Sequence, residues 1–218
     1  MTAQDTPSWR VACVVVPAFS FRVAERRLSV TERAAPVALV EPKAPGRVRA
    51  VNPAAAAAGI ARGQTATRAR ARCPALNCVF WDASVERVAA QALGALLRRA
   101  SPHVQAAVDH PGVFWLDARG MRWLGGEDAL AQRVVALVTE SGFPEVRVGL
   151  ADTQLAARLA AEHATAEAPI LQLPPGGDEA FVHTLELGAL PLDPLLASTL
   201  RSLGLTQVSE LAALPASS

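Results

Sequence analysis

Residues 112–120 read GVFWLDARG, a short apolar run closed by Asp117 and a small turn. The stretch before it, HVQAAVD (103–109), is a second strand candidate, and His110-Pro111-Gly112 between the two is a turn by composition. The pair therefore reads as a hairpin. Asp117 ends an apolar strand, where α/β and α+β enzymes often place an acid, so its role decides much of the functional reading.

Working outward, SVERVAAQALGALLRRA (84–100) sets Val85, Val88, Ala92, Leu93, Leu96 and Leu97 at helical spacing, with arginines in the last turn where they suit the helix dipole. After the hairpin, GGEDALAQRVVALVTESG (125–142) predicts a helix closed by Gly142. PEVRVGLA (144–151) predicts a strand, and DTQLAARLAAEHA (152–164) a helix capped by Asp152. Near the start, WRVACVVVP (9–17) is a buried strand stopped by proline. The order is strand, helix, strand, strand, helix, strand, helix. This is an α+β chain with a ferredoxin-like β-α-β-β-α-β pattern.

A module is inserted after the first strand. FRVAERRLSV (21–30) is helical in pattern and APVALVEP (35–42) a short strand. VNPAAAAAGIARGQTATRARARCPAL (51–76) is Ala-rich and Arg-spotted, and Gly59 and Gly63 break it into helical pieces. Beyond Ala166, AEAPILQLPPGGDEA reads as a proline and glycine connector. Two short helices around Leu203-Gly204-Leu205, with Thr206 opening the second, resemble half of a helix-hairpin-helix array.

The 218 residues can bury a sizeable core, and a formal charge of +1 gives no overall basic excess for gripping nucleic acid. Any DNA contact is expected to be local or shared. Cys13, Cys73 and Cys78 form no CxxC pair and have no zinc spacing, so they read as reduced thiols of a cytosolic protein. The apolar stretch Val11–Val16 is far shorter than the roughly 20 residues that cross a bilayer. A soluble, cytoplasmic and nucleoid-associated protein is expected.

Five stretches, taken in order, resemble the Y-family translesion DNA polymerases over nearly the whole chain. AGIARGQTATRARARCPAL is similar to the fingers, SVERVAAQALGALLRRASPHVQ to the first palm helix, and LDARGMRWLGGEDALAQRV to the palm hairpin and second helix. VGLADTQLAARLAAEHA is similar to the last palm strand and helix, and LRSLGLTQVSELAALP to the thumb. The resemblance implies a discontinuous palm at 1–20 and 78–165, inserted small helical fingers at 21–77, and a helix-hairpin-helix thumb at 166–218 that is cut short. The little finger and the clamp-binding motif beyond it would be absent from an N-terminal fragment of this kind.

The chemistry of that family holds two Mg²⁺ ions about 4 Å apart, whose mutual repulsion is roughly 17 kcal/mol at an effective dielectric of about 20. Carboxylates have to offset it. The resemblance puts Val15 and Pro17 where the first-strand aspartates belong, and Gly112 and Val113 where the hairpin Asp-Glu pair belongs. Asp117 falls on the family's structural acid, which is not a metal ligand. Pro53 and Ala56 replace the triphosphate clamp, and Ser20 stands at the aromatic gate against ribose in a chain without tyrosine. No catalytic residue, metal or cofactor is expected.

Within the family the pattern is most similar to a catalytically inactive polymerase-like subunit of a bacterial mutagenesis cassette. That resemblance implies an adaptor in translesion synthesis and the SOS response, working with a RecA-like partner, a sliding clamp and an error-prone C-family polymerase. The last two would attach through regions beyond this chain. Damaged or primed DNA would be held weakly, and a membrane not at all. Two other classes stay open: an active nucleotidyltransferase with displaced acids, and a helix-hairpin-helix DNA-binding module.

Asp82, Glu86, Asp109 and Asp117 are the acids available for a displaced site, although Asp82 and Glu86 suit a helix cap and dipole partner. Arg62, Arg68, Arg70 and Arg72 either touch DNA or form a solvated face. In the tail, Pro191, Asp193 and Pro194 suit phosphate poorly, since prolines remove donors and an acid repels the anion. Val113, Trp115 and Trp123 read either as packing or as a protein interface on the abandoned catalytic face.

Overall fold

The computed structural model describes residues 10–120 and 125–214. Its strands are β1 Val11–Val15, β2 Val37–Val40, β3 Val48–Val51, β4 Asn77–Phe80, β5 Val104–Ala106, β6 Val113–Asp117, β7 Arg147–Ala151 and β8 Ile170–Gln172. The helices are α1 Phe19–Glu25, α2 Val30–Ala34, α3 Pro53–Ala57, α4 Ala66–Arg72, α5 Ala83–Leu97, α6 Gly126–Glu140, α7 Gln154–His163, α8 Asp178–His183, α9 Pro194–Ser202 and α10 Val208–Ala212. The chain divides into two compact units. One is formed by Met1–Val15, Leu96–Gln105 and Val113–Ser218, the other by Val16–Ala95 and Ala106–Gly112.

The first unit is built on a five-stranded sheet in the order β5-β6-β1-β7-β8. Its first four strands have the expected ferredoxin-like order. β1 lies antiparallel to both β6 and β7, which explains its unbroken apolar sequence: a central strand is covered on both faces. Ala12, Val14, Phe114, Leu116, Val148 and Leu150 line one face and are almost completely buried.

On the other face Cys13 stands opposite both Trp115 and Gly149. There α7 packs against β7 and β1. The approach is close because both sides carry small residues. Ala156, Ala157, Ala160 and Ala161 are buried on α7, and a Cβ on Gly149 would come within 2.0 Å of the Ala157 carbonyl oxygen. Burial pushes the Cys13 thiol up to about 12, with Arg158 opposing the shift and Glu162 adding to it.

Two expectations are corrected in this unit. Thr153, not Asp152, caps α7: its hydroxyl accepts from the Ala156 N–H at 3.2 Å. The connector after Ala166 contains β8, which runs parallel to β7, and then α8. Three strand residues between Pro169 and Leu173-Pro174 are too few to show an alternation, so pairing with β7 decides their state.

Asp152 has a different task. Arg10, only 4 % exposed, donates from Nε and Nη2 to the two carboxylate oxygens of Glu127 at 2.8 and 2.6 Å, from Nη1 to Asp152 at 3.0 Å, and from Nη2 to the Leu173 carbonyl at 2.8 Å. The second oxygen of Asp152 accepts from the Gly176 N–H at 2.6 Å. Asp178 accepts from the Asp152 and Thr153 N–H groups and from the Thr153 hydroxyl. Beyond this knot, Leu159, Leu185 and Val208 form a small core with Phe181 and Val182. The two last helices meet as expected at Leu203–Leu205, while Thr206 precedes α10 and donates its N–H to Glu210 at 2.7 Å.

The second unit holds the inserted module, which is not purely helical. A three-stranded sheet in the order β3-β2-β4 lies within it. β2 pairs antiparallel with β3 and parallel with β4, and all four of its residues are buried. The four apolar residues VALV were the signal: a strand with no polar side needs cover on both faces. Asn52 ties this unit together. Its side-chain oxygen accepts from the Val37 and Ala55 N–H groups, and its amide donates to the Arg33 and Ala35 carbonyls.

Two substitutions test this packing. Gly149→Val forces branched carbon into the α7 backbone and is expected to lower unfolding free energy by about 3 kcal/mol or more in urea titration. Arg10→Ala leaves Glu127 and Asp152 without their cation and is expected to cost about 3 kcal/mol by the same measurement.

Candidate functional site

The ends of β1 and β6 meet in register. Val15 lies directly opposite Val113 on one side and opposite Arg147 on the other. Directly opposed residues in adjacent strands share a face. Two of the positions that the sequence resemblance reserves for carboxylates, Val15 and Val113, thus pair as valine with valine, and Arg147 stands beside Val15. Val113 is 7 % exposed, so it supplies packing and almost no accessible surface. Arg147 donates to the Glu162 carbonyl at 3.3 Å. A divalent cation here would meet two hydrocarbon side chains and a fixed positive charge. Among the described residues, no three His, Cys, Asp or Glu side chains gather as a cation site.

Next to Val113, Gly112 accepts from the Val16 N–H at 2.9 Å and has φ +87°. A Cβ at this position would lie 2.4 Å from the Phe19 Cβ. The backbone and the buried Phe19 leave no room for a side chain of any charge. Ala18, which begins α1, also has a left-handed φ of 51°. Pro17 and Ser20 are half-buried.

Pro53 and Ala56 lie on α3, both exposed. Pro53 opens that helix without an N–H, and Asn52 occupies the Ala55 N–H. The helix end has little left to offer a triphosphate.

The remaining acids have local partners or face solvent. Asp117 accepts from the Arg119 N–H at 2.9 Å, from Nε at 2.9 and 3.1 Å, and from Nη2 at 2.6 Å. The Arg119 side chain holds the Asp117 carboxyl below the usual carboxylate range. Asp82 caps the start of α5 through the Ser84 and Val85 N–H groups and the Ser84 hydroxyl, bonds that lower its pKa. Glu86 is buried and accepts from Trp81 Nε1 at 3.1 Å. Asp109 and His110 are exposed.

Arg62, Arg68, Arg70 and Arg72 are all exposed, and Arg72 donates to the Ala58 carbonyl at 3.3 Å. The structure adds Arg47, whose guanidinium donates to the Gly63 carbonyl at 2.9 Å in the loop leading into α4. A total charge of +1 hides an uneven distribution. The residues of the second unit include twelve Lys and Arg against six Asp and Glu, a net of +6; those of the first include nine against fourteen, a net of −5. Residues 42–81 carry six arginines and Lys43 with no acid at all. That acid-free run was visible in the sequence and is a stronger signal than the arginine triplet alone.

Trp115 is half-buried on β6, while Trp123 lies outside the described residues. No helix among the described residues is long and apolar enough to cross a membrane.

This sheet, with its inserted module and terminal helices, has the fold of the Y-family DNA polymerases. The crystal structure of DinB from Sulfolobus solfataricus superposes with a TM-score of 0.76 at 18% identity, covering 94% of this chain and 60% of that one. Dbh DNA polymerase in a post-insertion binary complex gives 0.79 at the same identity and coverage. The family model described as impB/mucB/samB matches residues 14–162, and the chain belongs to that family. Protein ImuB of Caulobacter vibrioides, in strains NA1000 / CB15N and ATCC 19089 / CIP 103742 / CB 15, is 35% identical over 159 residues, which are 72% of this chain and 33% of the relative. The match thus spans about a third of the length of these relatives.

The close fit at Gly112 predicts that Gly112→Asp lowers stability by about 2 kcal/mol or more. Gly112→Ala should do nearly the same in urea titration, because the obstacle is Phe19 and the positive φ rather than charge.

Proposed function

We propose that this protein is a non-catalytic, polymerase-like adaptor in bacterial translesion synthesis and SOS mutagenesis. One observation carries the reading: Val15 and Val113 face each other at the strand ends, beside Arg147, where the family's chemistry needs carboxylates. The similarity to Protein ImuB supports the same role. The RecA-like ImuA, the sliding clamp and an error-prone C-family polymerase are the proposed partners.

DNA contact is assigned to the basic second unit, through Arg62, Arg68, Arg70 and Arg72, with Arg47 added. The proposed division into palm, fingers and thumb is 1–20 with 78–165, 21–77, and 166–218. The proposed place of action is the nucleoid.

The test is primer extension by the purified chain with Mg²⁺ or Mn²⁺, together with calorimetric titration against ImuA. The expected result is no nucleotide incorporation and saturable heat with ImuA. Incorporation abolished by replacing one acid would overturn the reading and reveal a displaced active site. On DNA, Arg68→Glu/Arg70→Glu is expected to weaken binding several-fold and flatten its salt dependence.

A further inference from the structure

A cleft of about 450 Å³ opens on the first unit, at the end of the sheet away from Val15 and Val113. It lies over the half of the sheet beside the part that α7 covers. Trp115 and Val11 contribute to its floor, Gln154 at the start of α7 to one side, and Arg98, His103 and Gln105 to the other. Val11 and Trp115 occupy positions on the same face as Cys13. The cleft runs along β5, the terminal strand of the sheet.

Three properties define what such a cleft takes. A terminal strand offers backbone N–H and C=O groups to an added strand, and Gln105 on β5 is exposed. The half-buried indole of Trp115 gives an apolar seat beneath it. Arg98 is exposed and meets no carboxylate among the described residues, and His103 beside it is exposed as well. Asp117, which also lines the cleft, is already occupied by Arg119.

The local charge is therefore positive, yet the residues of this unit sum to −5. A polyanion such as a nucleic acid strand would meet the acids of this unit beyond the cleft, whereas a single carboxylate is attracted at contact.

We propose that this cleft binds an extended segment of a partner protein, added as a strand along β5, with an apolar side chain on Trp115 and one carboxylate against Arg98 and His103. The inference deepens the adaptor reading and rests on it for the partner being a protein.

The probe is an array of six-residue, strand-forming peptides that moves an aromatic–acidic pair through every position, with oligo-dT as the nucleic acid control. The wild-type chain is expected to retain acidic peptides through the cleft, and oligo-dT held by the basic second unit is expected to be unaffected by Arg98→Glu. Arg98→Glu, a change at an exposed position, should reduce retention of acidic peptides at least tenfold and shift preference to peptides with lysine in the same place. Trp115→Leu should reduce retention of all peptides. Retention of oligo-dT that Arg98→Glu abolishes would overturn the proposal, as would peptide retention indifferent to both substitutions, or none at all. Primer extension on the same preparations separates the two readings: incorporation sinks the adaptor, while failed peptide binding without incorporation sinks only the cleft.

Discussion

Arg10 is the constraint on which the first unit depends. A guanidinium that is almost fully buried is tolerated only when its donors are met by charge and carbonyl oxygen, and here Glu127, Asp152 and the Leu173 carbonyl meet them. These acceptors come from α6, from the turn between β7 and α7, and from the segment after β8. One side chain at the start of β1 thus fixes where three later segments stand. Asp152 and Asp178 carry the constraint onward through Gly176 and Thr153, so the terminal helices are anchored by hydrogen bonds as well as by their small apolar core.

The other end of β1 obeys the opposite rule. Here the sheet continues as ordinary hydrocarbon packing, with Val15 opposite Val113. The strand pairing places no demand on these side chains, because backbone hydrogen bonds do not depend on which side chains project from them. The fold can therefore persist with quite different side chains at this end of the sheet.

Much of the architecture was legible because long elements carry their period in the sequence. The helices now seen as α5, α6 and α7 and the strands β1, β6 and β7 could be read directly, as could the hairpin before Val113. Of the short strands, β2 and β5 could be read as well, but three others could not. β3, β4 and β8 have three or four residues each, too few for alternation to emerge, and only pairing with β2 or β7 defines them. Asp152 was misread for a related reason: an acid ahead of a helix has the composition of a cap, but its partner Arg10 lies 142 residues away in sequence. At the candidate site, the identities of Val15, Gly112 and Val113 could be read from the sequence. Their mutual register, the row shared with Arg147 and the obstruction by Phe19 could not. The basic character of the second unit was obscured by summing charge over the whole chain.

The geometry at Gly112 also bears on how such a chain can change over generations. A single base change can convert a glycine codon to an aspartate codon, so an acid at this position is one mutational step away. The step leads to a strained backbone pressed against the Phe19 Cβ, and relief requires glycine at 19 or a different turn between β5 and β6. Neither change has an advantage before the other. The glycine is held by its neighbours, and an acid at this position is disfavoured as a single substitution.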